Sequence, residues 1–352
     1  MTAGRLRPRL VAAVLASATL VACTEGAPTK RVVEGWERGA ARTVAEPEGC
    51  DAAGTADLGV FRETAPQEVR AFERWLGCPV DVVVDYSARD SWEDIANPAY
   101  LLESWRSSKR RLVLGVAMLP QADSSATIQL GAEGAYDDYF RELGETLVAA
   151  GRGRSVLRIG WEFNLNGSRW FTDDAESFKT YWRRIAEAIS VPGSDFVLDW
   201  NPNKGVGSID AVDYYPGDDV VDVVGLDAYD VAAHVYPYPE DCDADCVAEV
   251  QETAWDDHVY GGARGLEFWS DFAQERDKPM SLPEWGLWER PDGTGGGENL
   301  HYLQKMHEFI TDPHNAVLYH AYFEFDGYDG QHRIMTTFDE AGSLFRELFA
   351  GR

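Results

Sequence analysis

Val156-Leu-Arg-Ile-Gly-Trp-Glu-Phe-Asn164 is a short, largely apolar run that carries a carboxylate, Glu162, near its end. Its apolar residues are nearly consecutive, which reads as a strand covered on both faces, as in a parallel sheet. Working outward, runs of the same kind recur to make eight: 58–62, 80–85, 112–118, 156–162, 196–201, 221–229, 279–284 and 317–325. Between them, helical periodicity covers 65–76, 135–150, 175–189, 264–276 and 299–310. The first of these starts at Thr64-Ala-Pro66, a capping residue and an early proline, and the second stops at Gly151. Strands alternating with helices predict a parallel α/β sheet, and eight units predict a single (β/α)8 TIM barrel, here residues 55–352. No glycine-rich turn follows the first run, which argues against an open, dinucleotide-binding sheet. The connection 230–262, rich in Tyr, Pro, Asp and Cys, is long for a compact domain. It is expected on the C-terminal face of the barrel, where functional loops gather.

The 352-residue chain carries a formal charge of −28. That balance repels nucleic acid and anionic lipid and is compatible with a neutral glycan. Arg5, Arg7 and Arg9 precede an apolar run, 10–21, that is too short to span a bilayer. It closes on Leu20-Val-Ala-Cys23, which resembles a bacterial lipobox. Residues 1–22 therefore read as a lipoprotein signal peptide, Cys23 as the lipidated residue, and 23–54 as a tether; an ordinary secretory signal is the alternative. Either way the protein is expected to be exported, as an outward-facing membrane lipoprotein or a secreted protein. The lipid anchor would be its only membrane contact, and a monomer is expected. The other cysteines, Cys50, Cys78, Cys242 and Cys246, read as disulfides, with Cys50–Cys78 and Cys242–Cys246 the favoured pairing of three. The rival is a metal held by Cys242 and Cys246 with His234 or His258. No other metal pattern and no cofactor motif stands out.

Polar residues at the C-terminal ends of barrel strands are the first candidates for chemistry. Glu162 ends the fourth run and Glu284 the seventh, each beside a tryptophan. Two carboxyl groups, one protonated and one ionised, are what retaining glycoside hydrolysis needs. By strand alternation, Arg158, Gly160 and Glu162 should share one face and Asp227 and Tyr229 another, with Arg158 below Glu162 and the Tyr229 hydroxyl within reach of Glu284. Glu324 and Asp326, at the end of the eighth run, are rival acids.

The sequence around these acids resembles glycoside hydrolase family 26, the β-mannanase family, within the clan of retaining enzymes whose catalytic glutamates end strands four and seven. Arg158, Glu162, Phe163 and Asn164 match the fourth-strand motif. Gly167 and Trp170-Phe171 resemble the glycine and aromatic pair that follow it. Tyr215-Pro-Gly-Asp-Asp219 with the 221–229 run resembles the sixth strand, and Lys278-Pro279 with Glu284-Trp-Gly286 resembles the nucleophile strand. The resemblance covers roughly 55–350. It implies a barrel enzyme with Glu162 as acid/base and Glu284 as nucleophile, acting on β-mannan. The family has a histidine immediately before the acid/base where this chain has Trp161, which leaves the sugar in the cleavage subsite open.

Twelve tryptophans suit a sugar site, because sugar rings stack their apolar faces on aromatic rings. Trp161, Trp170, Phe171, Trp200, Trp285, Trp288 and Phe325 fall at or just after strand ends, whereas Trp75, Trp105 and Trp182 fall in helices and read as core. Asn164, Asn201 and Asn203 are candidate hydroxyl ligands. Arg89, Asp90 and Trp92 are candidates for a distal subsite. The leading function is an endo-acting retaining glycosidase of a β-linked polysaccharide such as mannan. The alternatives are a surface carbohydrate-binding protein with little or no activity and a glycosidase of a glucan, xylan or arabinose-containing envelope polymer.

Overall fold

The computed structural model describes Trp36, Cys50 and residues 56–350; the expected signal peptide, Cys23 and most of the expected tether lie outside the described residues. Nine parallel strands form one closed sheet: β1 (Asp57–Phe61), β2 (Val82–Tyr86), β3 (Arg111–Val116), β4 (Val156–Ile159), β5 (Val197–Trp200), β6 (Val223–Gly225), β7 (Ala228–Tyr229), β8 (Met280–Gly286) and β9 (Val317–Phe323). Their order is β6-β5-β4-β3-β2-β1-β9-β8-β7, and pairing of β6 with β8 closes the ring. β6 and β7 are two halves of one barrel strand, so the barrel has eight strands, with β8 and β9 as its seventh and eighth. This is the (β/α)8 architecture expected from the alternation.

Alternation sorts the strand residues into two layers. Inside lie Val82, Val84, Val113, Val156, Val223 and Tyr319, with the buried polar residues Arg158, Asp199, Asn201 and Ser281. Outside, the intervening residues, such as Leu114, Leu157, Trp200, Leu282 and Trp285, meet the helices. The helix Ala175–Ile189 buries Phe178, Tyr181, Trp182, Ile185 and Ile189, spaced three and four apart, and the Asp174 carboxylate caps it by accepting from the Ser177 N–H at 3.0 Å. The helix Pro66–Leu76 follows the same logic, but Thr64 does not cap it: its hydroxyl donates to Asp85 Oδ1 at 2.9 Å.

Both disulfides form in the favoured pairing, Cys50–Cys78 and Cys242–Cys246, so the latter pair holds no metal. The connection after β7 is more ordered than its composition indicates. Residues Ala244–Ala254 form a helix capped by Asp243, whose Oδ1 accepts from the Cys246 N–H at 3.0 Å, and the Cys242–Cys246 bridge staples its first turn. Lys204, after β5, fastens this connection to the barrel top by donating to the carbonyls of Val231 at 3.2 Å and His258 at 2.9 Å. The last helix, Asp339–Ala350, was not marked by the sequence reading; it buries Phe345 and Phe349 against Trp285.

Candidate active site

Glu284 stands at the C-terminal end of β8 and is 7% exposed. Its Oε1 accepts from the Tyr86 hydroxyl and from Arg158 Nη2 at 2.8 Å, and its Oε2 accepts from the Tyr229 hydroxyl at 2.9 Å. Arg158, fully buried on β4, is the hub of this layer. Its Nη2 also donates to Asp227 at 2.7 and 3.0 Å, its Nε to Asn201 Oδ1 at 2.7 Å, and its Nη1 to the Tyr86 hydroxyl at 2.8 Å. One cation thus lies between two carboxylates in a dry setting, where such interactions are strong and breaking one is costly. Burial alone would raise the pKa of Glu284. The Arg158 charge, with hydrogen bonds from Tyr86, Arg158 and Tyr229, outweighs it and holds the carboxyl below the usual glutamate value.

Glu162 is placed differently. β4 stops at Ile159, and Gly160 (φ +63°) and Glu162 (φ +51°) turn through the left-handed region. Alternation along a strand therefore carries Arg158 but not Glu162, which a turn brings over the barrel mouth. Glycine is favoured there on two counts: its φ, and the Met118 Sδ, which would lie 2.4 Å from a β-carbon and would have to move. A non-glycine residue held at positive φ, as Glu162 is, occurs where surrounding contacts over-determine it, often at functional sites. Here the Glu162 N–H donates to the Asn201 carbonyl at 2.8 Å, and Asn203 Nδ2 donates to Glu162 Oε1 at 2.6 Å. Asn203 is itself clamped by Asn164, which donates to the Asn203 carbonyl at 2.9 Å and accepts from its N–H at 2.8 Å. Burial, then the neighbouring Glu284 charge, push the Glu162 carboxyl up to about 7. The two glutamates are thus driven apart in acidity, one held ionised and one held protonated near neutrality.

The aromatic candidates divide. Trp161 packs on Tyr86 (ring centroids 5.0 Å) and on Trp170 (4.5 Å), with the Arg89 guanidinium 5.4 Å from its ring centre. Trp170 supports it by donating to the Trp161 carbonyl at 2.9 Å. Trp288 is half-buried and packs edge-on against Tyr229, 5.1 Å away. Phe325 packs against Phe61 at the mouth of the barrel, 5.8 Å away. Trp200 and Trp285 are not brought to this mouth. Both are fully buried on the outer layer, Trp200 against Trp269 and Phe272, Trp285 against Tyr322 and Phe349. Their neighbours Asn201 and Glu284 point inward, and adjacent strand residues take opposite faces. Asn164, Asn201 and Asp227 are also fully buried, with protein partners for their polar groups; they hold the site rather than line an open surface. Trp92 is stacked between Tyr136 and Tyr139, at 4.3 and 4.7 Å.

Glu324, the rival acid, is fully buried beneath the loop that follows β9. It accepts from the Ile334 N–H at 2.7 Å and pairs with Arg62 at 3.4 Å. Tyr86 was missed by the sequence reading, whose second run stopped one residue short of it. The available signal was a polar aromatic just past a strand of valines. The Tyr86 ring fits because Gly115 faces it: a β-carbon there would lie 2.4 Å from the ring. A separate cavity of about 770 Å³ opens at the opposite, N-terminal end of the barrel, beside Trp36, Arg111 and Asp222, remote from both glutamates. Among the described residues, no cluster of three or more His, Cys, Asp or Glu could hold a metal ion.

Residues 162–248 match the model of the family described as glycosyl hydrolase family 26, a span that holds Glu162, Asn164, Asn201, Asn203, Asp227 and Tyr229. The fold is shared with solved structures at low identity. A modular endo-β-1,4-mannanase from Cellulomonas fimi is 17% identical, with a TM-score of 0.56 over 84% of this chain and 70% of that one. A Bacillus subtilis mannanase is 14% identical, with a TM-score of 0.55 over 85% and 88%. The GH26C protein of Muricauda sp. is 14% identical, with a TM-score of 0.54 over 84% and 86%. No curated protein matches the chain.

Proposed function

We infer that this member of glycosyl hydrolase family 26, a glycoside hydrolase, cleaves a β-linked polysaccharide by double displacement with retention of configuration. The carrying observation is the opposed environment of the two glutamates. Glu284 receives three donors and a guanidinium charge, which suits a nucleophile ionised in the resting enzyme. Glu162 receives one amide donor and is pushed up to about 7, which suits a general acid. In the first step Glu284 attacks the anomeric carbon as the glycosidic C–O bond breaks, and the Glu162 proton goes to the leaving oxygen. In the second, ionised Glu162 takes a proton from water, which attacks the anomeric carbon and releases Glu284. Trp161 and Trp288 are the aromatic surfaces we assign to sugar contact, with the buried Trp170 backing Trp161.

Mannan is the substrate we favour, because the family match falls on the acid/base segment and the Cellulomonas fimi and Bacillus subtilis structures are of mannanases. The test is a polysaccharide panel, with mannan, glucan and xylan, scored for new reducing ends with wild type and Glu284→Ala. Equal activity of the two would remove Glu284 as nucleophile. Inversion at the anomeric carbon in the first product, read by proton NMR, would reject double displacement. Binding without hydrolysis by wild type would favour a carbohydrate-binding protein. We further propose attachment to the outer membrane face through Cys23, consistent with two disulfides formed in an oxidising compartment. Cys23→Ser should then leave the membrane fraction.

A further inference from the structure

His332 lies in the loop after β9 and was not singled out by the sequence. Its ring packs on Trp288 (centroids 4.6 Å), Tyr229 (5.2 Å) and Phe323 (5.2 Å), and Tyr229 is the residue bonded to Glu284. Every polar group of His332 but one is held by the protein. Its N–H donates to Asp326 Oδ1 at 2.9 Å, its carbonyl accepts from the Tyr322 hydroxyl at 2.9 Å, and its Nδ1 meets the Leu287 carbonyl at 3.0 Å. A carbonyl only accepts, so Nδ1 carries the proton and the neutral ring presents a lone pair at Nε2. Burial holds the imidazole below its ordinary value, which keeps that form at neutral pH.

Nε2 has no protein partner among the described residues. It is also not one of the sealed, unpartnered imidazole nitrogens, which belong to His301, His307 and His320. Tyr229, Trp288 and Phe323 surround the ring of His332, which is 2% exposed, and the Tyr229 hydroxyl is the one bonded to Glu284. The loop is further fixed by paired Glu289 and Gln331 backbones, at 2.9 and 3.0 Å, and by Glu324 holding the Ile334 N–H. So complete an anchoring of one ring, with one acceptor left over, is how a binding site orients a ligand hydroxyl.

We propose that His332 is a specificity-determining residue whose Nε2 accepts a hydrogen bond from one hydroxyl of the sugar ring that Glu284 attacks. The inference rests on Glu284 being the nucleophile. It is tested with wild type and His332→Phe on the 4-nitrophenyl disaccharide of the sugar that the panel identifies, with the β-mannobioside first. Analogues lacking single hydroxyls on the ring beside the nitrophenyl group complete the set. Phenylalanine keeps the stack on Trp288 and removes the Nε2 acceptor, together with the Nδ1–H bonded to the Leu287 carbonyl, a loss that acts equally on the parent and every analogue. Wild type should lose about 10- to 100-fold in kcat/KM on one analogue; the variant should lose as much on the parent and nothing further on that analogue. Equal losses on the parent and every analogue would assign His332 to packing and overturn the inference, as would an unchanged variant. Failure of the wild type to cleave any glycan would overturn it together with the nucleophile assignment. If His332→Phe fails to fold, His332→Gln supplies a carbonyl acceptor, and discrimination against the same analogue should survive in it; its loss there would also overturn the inference.

Discussion

Asn203 donates from Nδ2 to Oε1 of Glu162 at 2.6 Å, and that one bond moderates the protonation of the residue proposed as acid/base. Burial and the Glu284 charge raise Glu162, whereas the Asn203 donor favours the ionised form and lowers it. The first step needs Glu162 protonated, so activity should fall as pH rises through about 7. Asn203→Ala removes the opposing donor, so the alkaline limb of kcat/KM should move to higher pH. A limb that stays in place, or moves to lower pH, would mean that another group sets it.

Tyr86 acts on the other carboxylate. It donates to Glu284, and its ring is fixed by Arg158 Nη1 and by the space Gly115 leaves. Tyr86→Phe should raise the pKa of Glu284 and move the acidic limb of the profile to higher pH. We expect kcat/KM at the optimum to fall about 10- to 100-fold, the scale of one hydrogen bond to a charged group. Steady-state kinetics across pH checks both, and an unshifted acidic limb would remove Tyr86 from the control of Glu284.

Arg158 should be as important to stability as to activity. Removing it leaves Asp227, fully buried, and Glu284, 7% exposed, without their cation. Arg158→Met should cost about 3–5 kcal/mol by urea unfolding, the usual penalty for breaking a buried ion pair from one side. Adding Asp227→Asn should recover part of that loss, because one stranded charge is then neutralised. Additive losses in the double variant would show that the two residues do not share one electrostatic network.

Trp285 and Trp288 should separate cleanly. Trp285→Ala empties a fully buried site between β8 and the helix Asp339–Ala350 and should cost about 3–5 kcal/mol of stability, read as a lowered unfolding midpoint. Trp288→Ala, at a half-buried position beside Tyr229, should cost less stability and raise KM for polysaccharide. The reverse pattern would mean that Trp288 is a packing residue and Trp285 the sugar contact.

Much of this was written locally. Short runs of β-branched and aliphatic residues, broken by amphipathic helices, dictate a parallel sheet covered on both faces, and eight such units without a glycine-rich first turn point to its closure as a barrel. The period of two even carried more than the first reading took from it. Glu284 and Trp285 are adjacent in β8, as are Trp200 and Asn201 at the end of β5, so an inward acid or amide requires an outward tryptophan. The tertiary structure decided what local periodicity cannot express. Glu162 reaches the barrel mouth through a turn at positive φ that begins where β4 stops, so its direction depends on packing around Gly160 rather than on strand phase. Tyr86 meets Glu284 across 198 residues of chain, and His332 is oriented by Leu287 and Tyr322, each on a different segment. Contacts of that kind are made only when the barrel closes, because closure, not sequence proximity, brings the ends of separate strands to one mouth.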